Sequence, residues 1–395
     1  MHSHDHPTGP ADETFDVIVV GARVAGAATA MLLARAGLRT LVIDQSARGA
    51  DTLSTHALMR GGVLQLSRWG LLDEIVARGT PAVRRTTFVY ADERVDIGIK
   101  PTHGVDALYA PRRTVIDPLL VRAAEQAGAD VRHQTAVRDL VRHDGRVVGV
   151  CATTPHGRVR FGGRLVIGAD GIRSTIARLT GARLRRTGAH AAAATYGYWS
   201  DLDTDGYEWV FRPNACSGVI PTNDGQACVF ASAQPARIGR GGVDVIRAIV
   251  AAGSPELASR LAAATPPAGT RTWPGQPGYF RQAHGPGWAL VGDAGYFKDP
   301  IGAHGLTDAL RDAELLARAV IDGFDLSDDG SSLTEALEHF EATRDHLSVP
   351  LFETVDRIAG NEWDDAEIPG LLRRLSSSMA DEVETLAALD AVRVP

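Results

Sequence analysis

Lysine is almost missing from this chain: of 41 basic residues, only Lys100 and Lys298 are lysines. So strong a bias reads as genome composition, which removes arginine richness as an argument for function. The net charge of −7 points away from nucleic acid and from anionic membranes as main partners. Cysteine is scarce too. Cys151, Cys216 and Cys228 form no metal or redox spacing, which suggests a reducing, cytoplasmic setting. Cys216 and Cys228 stand where they could face each other across a hairpin, but packing thiols are the expectation. No apolar run approaches the roughly 20 residues of a membrane span. The opening segment lacks the basic and apolar regions of a signal peptide and reads as a disordered leader over residues 1–14. No internal repeat is present. What remains, 395 residues with 44% hydrophobic and 23% charged, is an ordinary globular composition with room for two lobes.

The stretch from Phe15 to Asp44 organises the rest. Residues 16–20 are an apolar, β-branched run of the kind buried on both faces of a sheet. Gly21 and Gly26 follow, then an Ala/Leu-rich helix over 27–36 closed by Gly37. Residues 41–43 form a second apolar strand that ends on Asp44. Strand, Gly turn, helix, strand and terminal acid make a dinucleotide-binding βαβ unit. Gly21 permits the tight turn, and Gly26 with Ala30 lets the helix lie close to the sheet. The helix N-terminus offers N–H groups to a pyrophosphate, and Asp44 accepts from a ribose diol. Arg23 stands where the middle glycine of the fingerprint belongs. Its side chain must point away or fold over the phosphates as an added cation.

Further along, residues 59–69 and 71–77 read as amphipathic helices, and 86–90 and 95–100 as strands. Asp117 reads as a helix N-cap with Pro118 at the first helical position, the helix running to Gln126. Residues 131–133 return as a parallel strand, and three short strands follow as a meander to about Phe161. A separate strand from Arg164 then runs into Asp170-Gly171. Residues 191–233 alternate with period two and carry Tyr196, Tyr198, Trp199, Trp209 and Phe211, a sheet whose aromatics suit the wall of an organic-ligand pocket. A last buried strand runs into Gly292-Asp293, followed by Pro300, Gly302, Ala303, His304 and Gly305 opening a helix to about Ile321. A Gly/Asp/Ser-rich break covers 327–331. Beyond it the chain reads as helices, with a capping box at Ser332 to Glu335 and Pro350 kinking or ending one of them.

The ordered triple of Gly turn, Asp-Gly and Gly-Asp resembles the class A flavoprotein monooxygenases, the family of para-hydroxybenzoate hydroxylase, over about 15–319. The resemblance implies an α/β fold: a Rossmann-like FAD-binding domain (15–80, 111–183, 286–325) with an inserted, mostly antiparallel β-sheet substrate domain (81–110, 184–285) and a helical C-terminus (326–395). It implies that Gly21, Gly26 and Asp44 hold the ADP half of FAD, and that Arg60 and Arg113 are cofactor-contacting arginines. Asp170 would bridge FAD and a transient NADPH or NADH, and Asp293 would bond the ribityl or pyrophosphate side. Pro300, Gly302, Ala303, His304 and Gly305 would lie against the isoalloxazine ring. Tyr296 and Thr307 depart from the family's usual His and Asn, and the Trp-x-Trp-x-Ile-Pro motif of flavin halogenases is absent.

The implied activity is hydroxylation or epoxidation of a small organic, aromatic or polyketide-like substrate with NAD(P)H and O2 through a flavin C4a-hydroperoxide. A flavin-dependent reductase or dehydrogenase acting on a C=C bond is the nearest alternative, and a non-catalytic ligand-binding flavoprotein a second. His304 and His56 are the candidate catalytic side chains: His304 is either near the flavin pyrimidine or an exposed loop histidine, and His56 either faces the site or packs in its loop. Asp170 and Asp293 have a plainer reading as helix N-caps. Lys298 reads as a solvated surface residue. No metal site is expected.

Overall fold

The computed structural model describes residues 13–324 and 330–389. Strand β1 (Glu13–Val20) is apolar throughout its second half because it serves two cores at once. Val17 and Val19 pack with helices on one face, Ile18 and Val20 with strands on the other. Each such side chain contributes about 1.5–3 kcal/mol on full burial, so no position between 17 and 20 tolerates a polar residue. β1 begins at Glu13, two residues inside the stretch read as leader, whose first twelve residues lie outside those described.

From β1 the chain runs through α1 (Val24–Arg35), β2 (Thr40–Ile43), α2 (Arg60–Arg68), α3 (Leu72–Ala77), β3 (Arg85–Tyr90) and β4 (Glu93–Gly98). It continues through α4 (Arg113–Gln126), β5 (Asp130–Arg132), β6 (Ala136–His143), β7 (Arg146–Thr154), β8 (Gly157–Gly168), α5 (Thr175–Thr180) and β9 (Leu184–Thr187). Then come β10 (Ala193–Ser200), β11 (Tyr207–Arg212), β12 (Ala215–Pro221), β13 (Gln226–Ala233), α6 (Pro235–Ile238), α7 (Val243–Gly253), α8 (Pro255–Ala263) and β14 (Arg271–Trp273). The last part holds β15 (Tyr279–Arg281), β16 (His284–Gly285), β17 (Trp288–Leu290), β18 (Tyr296–Phe297), α9 (Gly305–Gly323), α10 (Ser331–Ala359) and α11 (Ile368–Ala388).

The first sheet runs β16-β17-β8-β1-β2-β5, with β7 and β6 added beyond β8. Its central pairs, β17–β8, β8–β1, β1–β2 and β2–β5, are all parallel. The second sheet, β14-β10-β13-β12-β11-β3-β4, is antiparallel except for β11 beside β3. Alternation sorts its residues: Tyr196, Trp209, Phe211 and Phe230 face one core, while Val210, Val219 and Val229 face α7 and α8. A third sheet joins β18, β15 and β9. This is the α/β arrangement with an inserted, mostly antiparallel sheet and a helical C-terminus.

Two local expectations need correction, and two open ones are decided. The meander forms as β6, β7 and β8, but its third strand and the strand from Arg164 are one, β8, which bonds β7 along its first half and β1 along its second. Helix α4 starts at Arg113, so Pro118 lies inside it. Ile116, Leu119 and Leu120 are buried in the main core, and their burial outweighs the cost of one missing N–H. Pro350 likewise sits within α10, held by Leu347, Leu351 and Val355. Cys216 pairs in register with Ser232 and Cys228 with Ile220, so the two thiols do not face each other; both are buried and free. The break expected over 327–331 falls largely on residues 325–329, outside the described part of the chain.

Candidate active site

Sheet order explains why distant motifs meet. The neighbours β17, β8, β1 and β2 are parallel, so their carboxyl ends share one edge. These ends carry Asp293, Asp170, Gly21 and Asp44, one motif per strand. That is where an open α/β sheet forms its ligand crevice.

The turns there touch. A Cβ on Gly21, whose φ is +111°, would lie 2.4 Å from the Ala169 carbonyl oxygen, and one on Gly26 would lie 1.8 Å from the Gly21 oxygen. Neither position admits a side chain, so β1, α1 and the Asp170 turn close up as a backbone cradle. Arg23, the N-cap of α1, has an extended backbone (φ −89°, ψ −171°) that any residue adopts, which is why a middle glycine is dispensable. Its side chain leans toward Asp117, with Nη1 3.7 Å from Oδ2, and that Nη1 is buried without a hydrogen-bond partner. Arg113 donates to the same carboxylate at 2.8 Å. Two guanidiniums share one carboxylate, leaving a positive surplus beside the cradle.

Asp44 is fixed at the mouth, accepting from Ala22 N at 2.8 Å and Ser46 N at 2.7 Å. Asp44, Arg23, Arg48, His133 and the 46–50 loop line an open crevice of about 320 Å³. The cradle without room for a Cβ, the unpartnered guanidinium nitrogen and the crevice beyond fit a dinucleotide: pyrophosphate at the α1 N-terminus and Arg23, nucleoside beside Asp44.

Asp293 accepts no hydrogen bond from the described residues and is open to solvent, although its neighbours Gly292 and Ala294 are buried. Surrounding protein pushes its carboxyl up to about 6, with Lys298 and Arg113 pulling the other way. An exposed acid raised by surrounding protein suits a concave stretch of the strand edge. Asp170 differs. It accepts from the Ser174 hydroxyl and from Thr175 N and Ile176 N, so both oxygens serve the start of α5, with burial raising its pKa. Tyr279, which the sequence did not single out, ties the two turns: its hydroxyl donates to the Asp293 carbonyl at 2.6 Å and lies 3.1 Å from that of Ile172.

The family described as FAD binding domain matches residues 14–334. The chain belongs to this FAD-binding family. It is similar to the probable electron transfer flavoprotein-quinone oxidoreductase YdiS of Escherichia coli K12, 35% identical over 178 residues, 43% of this chain and 39% of that protein. It is similar over a longer span to digeranylgeranylglycerophospholipid reductase 1 of Methanopyrus kandleri, 27% identical over 333 residues, 80% of this chain and 83% of that one. Its matches span only 39–50% of the length of the first three curated relatives. Among solved structures it superposes on PqsL, described as a probable FAD-dependent monooxygenase from Pseudomonas aeruginosa, with a TM-score of 0.76 and 20% identity over 91% of this chain and 100% of that one. The flavin-dependent brominase Bmp2 gives 0.77 with 17% identity over 95% and 93%. At such identities the likeness is one of fold. Among the described residues, no helix is long and apolar enough to cross a membrane.

The 300–305 turn follows Asp293 along the chain and leads into α9. Asp299 is buried and accepts from Ile301 N at 3.0 Å and Ala192 N at 2.8 Å, and burial pushes it up to about 7. Pro300 and Gly305 are exposed, Gly302 is buried, and Ala303 has a left-handed φ of +48°. Ile301 and Ala303 pack against the aromatic core that holds Tyr196, Trp209 and Phe230, so this turn joins the FAD-type lobe to the inserted sheet.

His304 is turned into the protein. The imidazole is 2% exposed and lies 3.2 Å from both oxygens of Glu382 on α11. Burial lowers its pKa against the pull of Glu382. Lys298 is not a surface residue either. It is 6% exposed, contacts Asp308, and is pushed down to about 7 by burial and by Arg311. His304, Asp308 and Glu382 come close enough to share a metal ion. Their two carboxylates are already paired by Lys298 and Arg311, however. Tyr296 and Thr307 are buried, Tyr296 against Phe280 and Thr307 accepting from Met59 N.

Arg60 is held elsewhere: its guanidinium donates to the carbonyls of Val105 and Lys100 at 2.8 and 2.9 Å. His56 lies at the seam between lobes, 1% exposed, with Nε2 2.6 Å from the Tyr198 hydroxyl. Burial, then Arg113 and Arg112, pushes it down to about 3, so the ring is neutral, and its Nδ1 has no partner. Arg112 lies over the other ring, 4.1 Å from the Tyr198 centroid.

Proposed function

We propose that the protein is an FAD-dependent monooxygenase that hydroxylates or epoxidises a small organic substrate, aromatic or polyketide-like, with NADPH or NADH and O2 in the cytoplasm. One observation carries the reading: the strand edge bearing Gly21, Asp44 and Asp293 ends at a turn packed against an aromatic-walled sheet. When bound, FAD accepts hydride from the nicotinamide and supplies the oxygen chemistry. The chain's own residues position and enclose. The Gly21–Gly26 cradle and Arg23 hold the pyrophosphate, Asp44 the ribose, and Asp293 a polar group along the groove. Pro300, Gly302, Ala303 and Gly305 form the wall beside the ring, with Arg113 setting a positive potential there. Asp170 serves the nicotinamide side through the turn it stabilises. Ile368, Leu371 and Leu372 of α11 lie in the same apolar core as Ile301 and exclude water from it. His56, neutral and bonded to Tyr198, is a proton acceptor at the seam.

A second reading has its own support. Methanopyrus kandleri digeranylgeranylglycerophospholipid reductase 1 matches 80% of the chain, and a reductase would use the same cradle to deliver hydride to a C=C bond. Labelled dioxygen separates the two. The monooxygenase reading expects substrate-dependent NAD(P)H consumption with one labelled oxygen in the product. An unlabelled product with a reduced double bond would replace it by the second reading.

A further inference from the structure

A dense group of buried ionisable side chains lies beneath the 300–305 turn rather than in front of it. Lys298, His304, Asp308, Arg311, Asp312 and Glu382 are each at most 6% exposed. His304 comes from the turn, Asp308, Arg311 and Asp312 from α9, and Lys298 from just after β18. Glu382 comes from α11, beyond the segment 14–334 that the FAD family matches.

Glu382 is the group's keystone by geometry. Both its oxygens lie 3.2 Å from His304 Nε2, and Oε2 accepts from Arg311 Nη1 at 2.8 Å. Arg311 reaches on to Ser348 of α10 at 2.8 Å and to Asp312 at 2.7 Å. A Cβ on Gly61 of α2 would sit 3.0 Å from Glu382 Oε1, so the carboxylate is wedged between α2, α9 and the turn. Burial pushes the acid up, but His304 and Arg311 outweigh it and hold Glu382 down to about 2.

The turn needs such support. Ala303 is a left-handed non-glycine residue, a conformation that persists only where surroundings over-determine it. Asp299 fixes the turn from one side through Ile301 N. From the other side, the Glu382 carboxylate is hydrogen-bonded to His304, the N-cap of α9. The polar face of α11 is thus committed to the turn, while its apolar residues Val383 and Leu386 pack the main core.

We propose that Glu382 is a positioning residue of the cofactor site, acting through His304 and Arg311 to hold the 300–305 turn and the first turn of α9 in the shape FAD requires. The proposal rests on the reading of this turn as the flavin-facing wall. It makes the C-terminal helix part of the binding site without a contact to the ligand.

The test is FAD titration into apo-protein, followed by fluorescence and by visible circular dichroism of the bound flavin. Glu382→Ala is expected to raise Kd tenfold or more. Glu382→Gln keeps a carbonyl acceptor for both donors and should stay within threefold of the parent. His304→Ala is expected to raise Kd at least fivefold, and adding it to Glu382→Ala should cost less than the two effects combined. Leu386→Ala loosens α11 through packing alone, so it should lower thermal stability while leaving Kd and the dichroism unchanged. Unchanged Kd in both Glu382→Ala and His304→Ala, or an equal rise in Leu386→Ala, would overturn the positioning role. Should Glu382→Ala not fold, His304→Ala against Leu386→Ala decides alone. A parent that binds no FAD would overturn the flavin reading, and this role with it.

Discussion

Gly26→Ala isolates the cradle. The added methyl group would sit 1.8 Å from the Gly21 carbonyl oxygen and 3.0 Å from the Ala169 Cβ. Both nearest groups are fixed to the backbone, so no rotamer change relieves the clash; α1 must move off the turn by more than about 1 Å. Overpacking of this kind costs about 1–3 kcal/mol, and the upper end applies because nothing flexible yields. Gly26 is helical, so alanine returns up to about 1 kcal/mol of helix propensity. The net loss is then about 1–2 kcal/mol in stability. The lifted α1 also widens the gap meant for the pyrophosphate, and each 1.4 kcal/mol of lost contact is about tenfold in affinity. Urea unfolding and FAD titration of the apo-variant measure the two effects. Gly98→Ala is the control, since its Cβ would meet nothing within 4 Å. A Gly26→Ala protein that unfolds with the parent and binds FAD within twofold of it would refute the cradle.

Asp293→Ala removes an acid with no protein partner, so it should leave stability intact and raise the FAD Kd tenfold or more, from a charge-assisted bond worth about 1.5–3 kcal/mol; titration with denaturation checks both. Asp170→Ala instead uncaps α5 and should cost about 0.5–2 kcal/mol of stability, alongside slower reduction by NAD(P)H in stopped flow. His56, pushed down to about 3, should show no ring titration between pH 5 and 8 in proton NMR. Glu382 has a folded pKa depressed to about 2, so its stabilisation is present above the unfolded value near 4.5 and is lost as pH falls toward 2. The stability gap between the parent and Glu382→Gln should therefore shrink between pH 5 and pH 3.

What could be read from the sequence was local, and what was missed was long-range. β1, α1 and β2 are contiguous, and their apolar runs follow from burial on both faces, so the unit from Phe15 to Asp44 declares itself. The second sheet shows in the same way through its period of two. Pro118 misled because local propensity was overruled by core packing that is not local. Lys298 and His304 misled for a different reason. Their burial depends on Arg311 and on Glu382, the latter 78 residues beyond His304, and no spacing rule links a turn to a helix so far along the chain. Arg60 matched a family position, yet its hydrogen bonds go to loop carbonyls at Lys100 and Val105.

The most direct measurement is the cofactor itself. The protein, purified and saturated with flavin, then stripped of excess, should be yellow, and heat should release its flavin unbound to protein. Chromatography should identify that flavin as FAD, one per chain, with Gly26→Ala and Asp293→Ala each retaining less. FMN in its place, or no flavin after reconstitution, would contradict the reading of the strand edge as an FAD site.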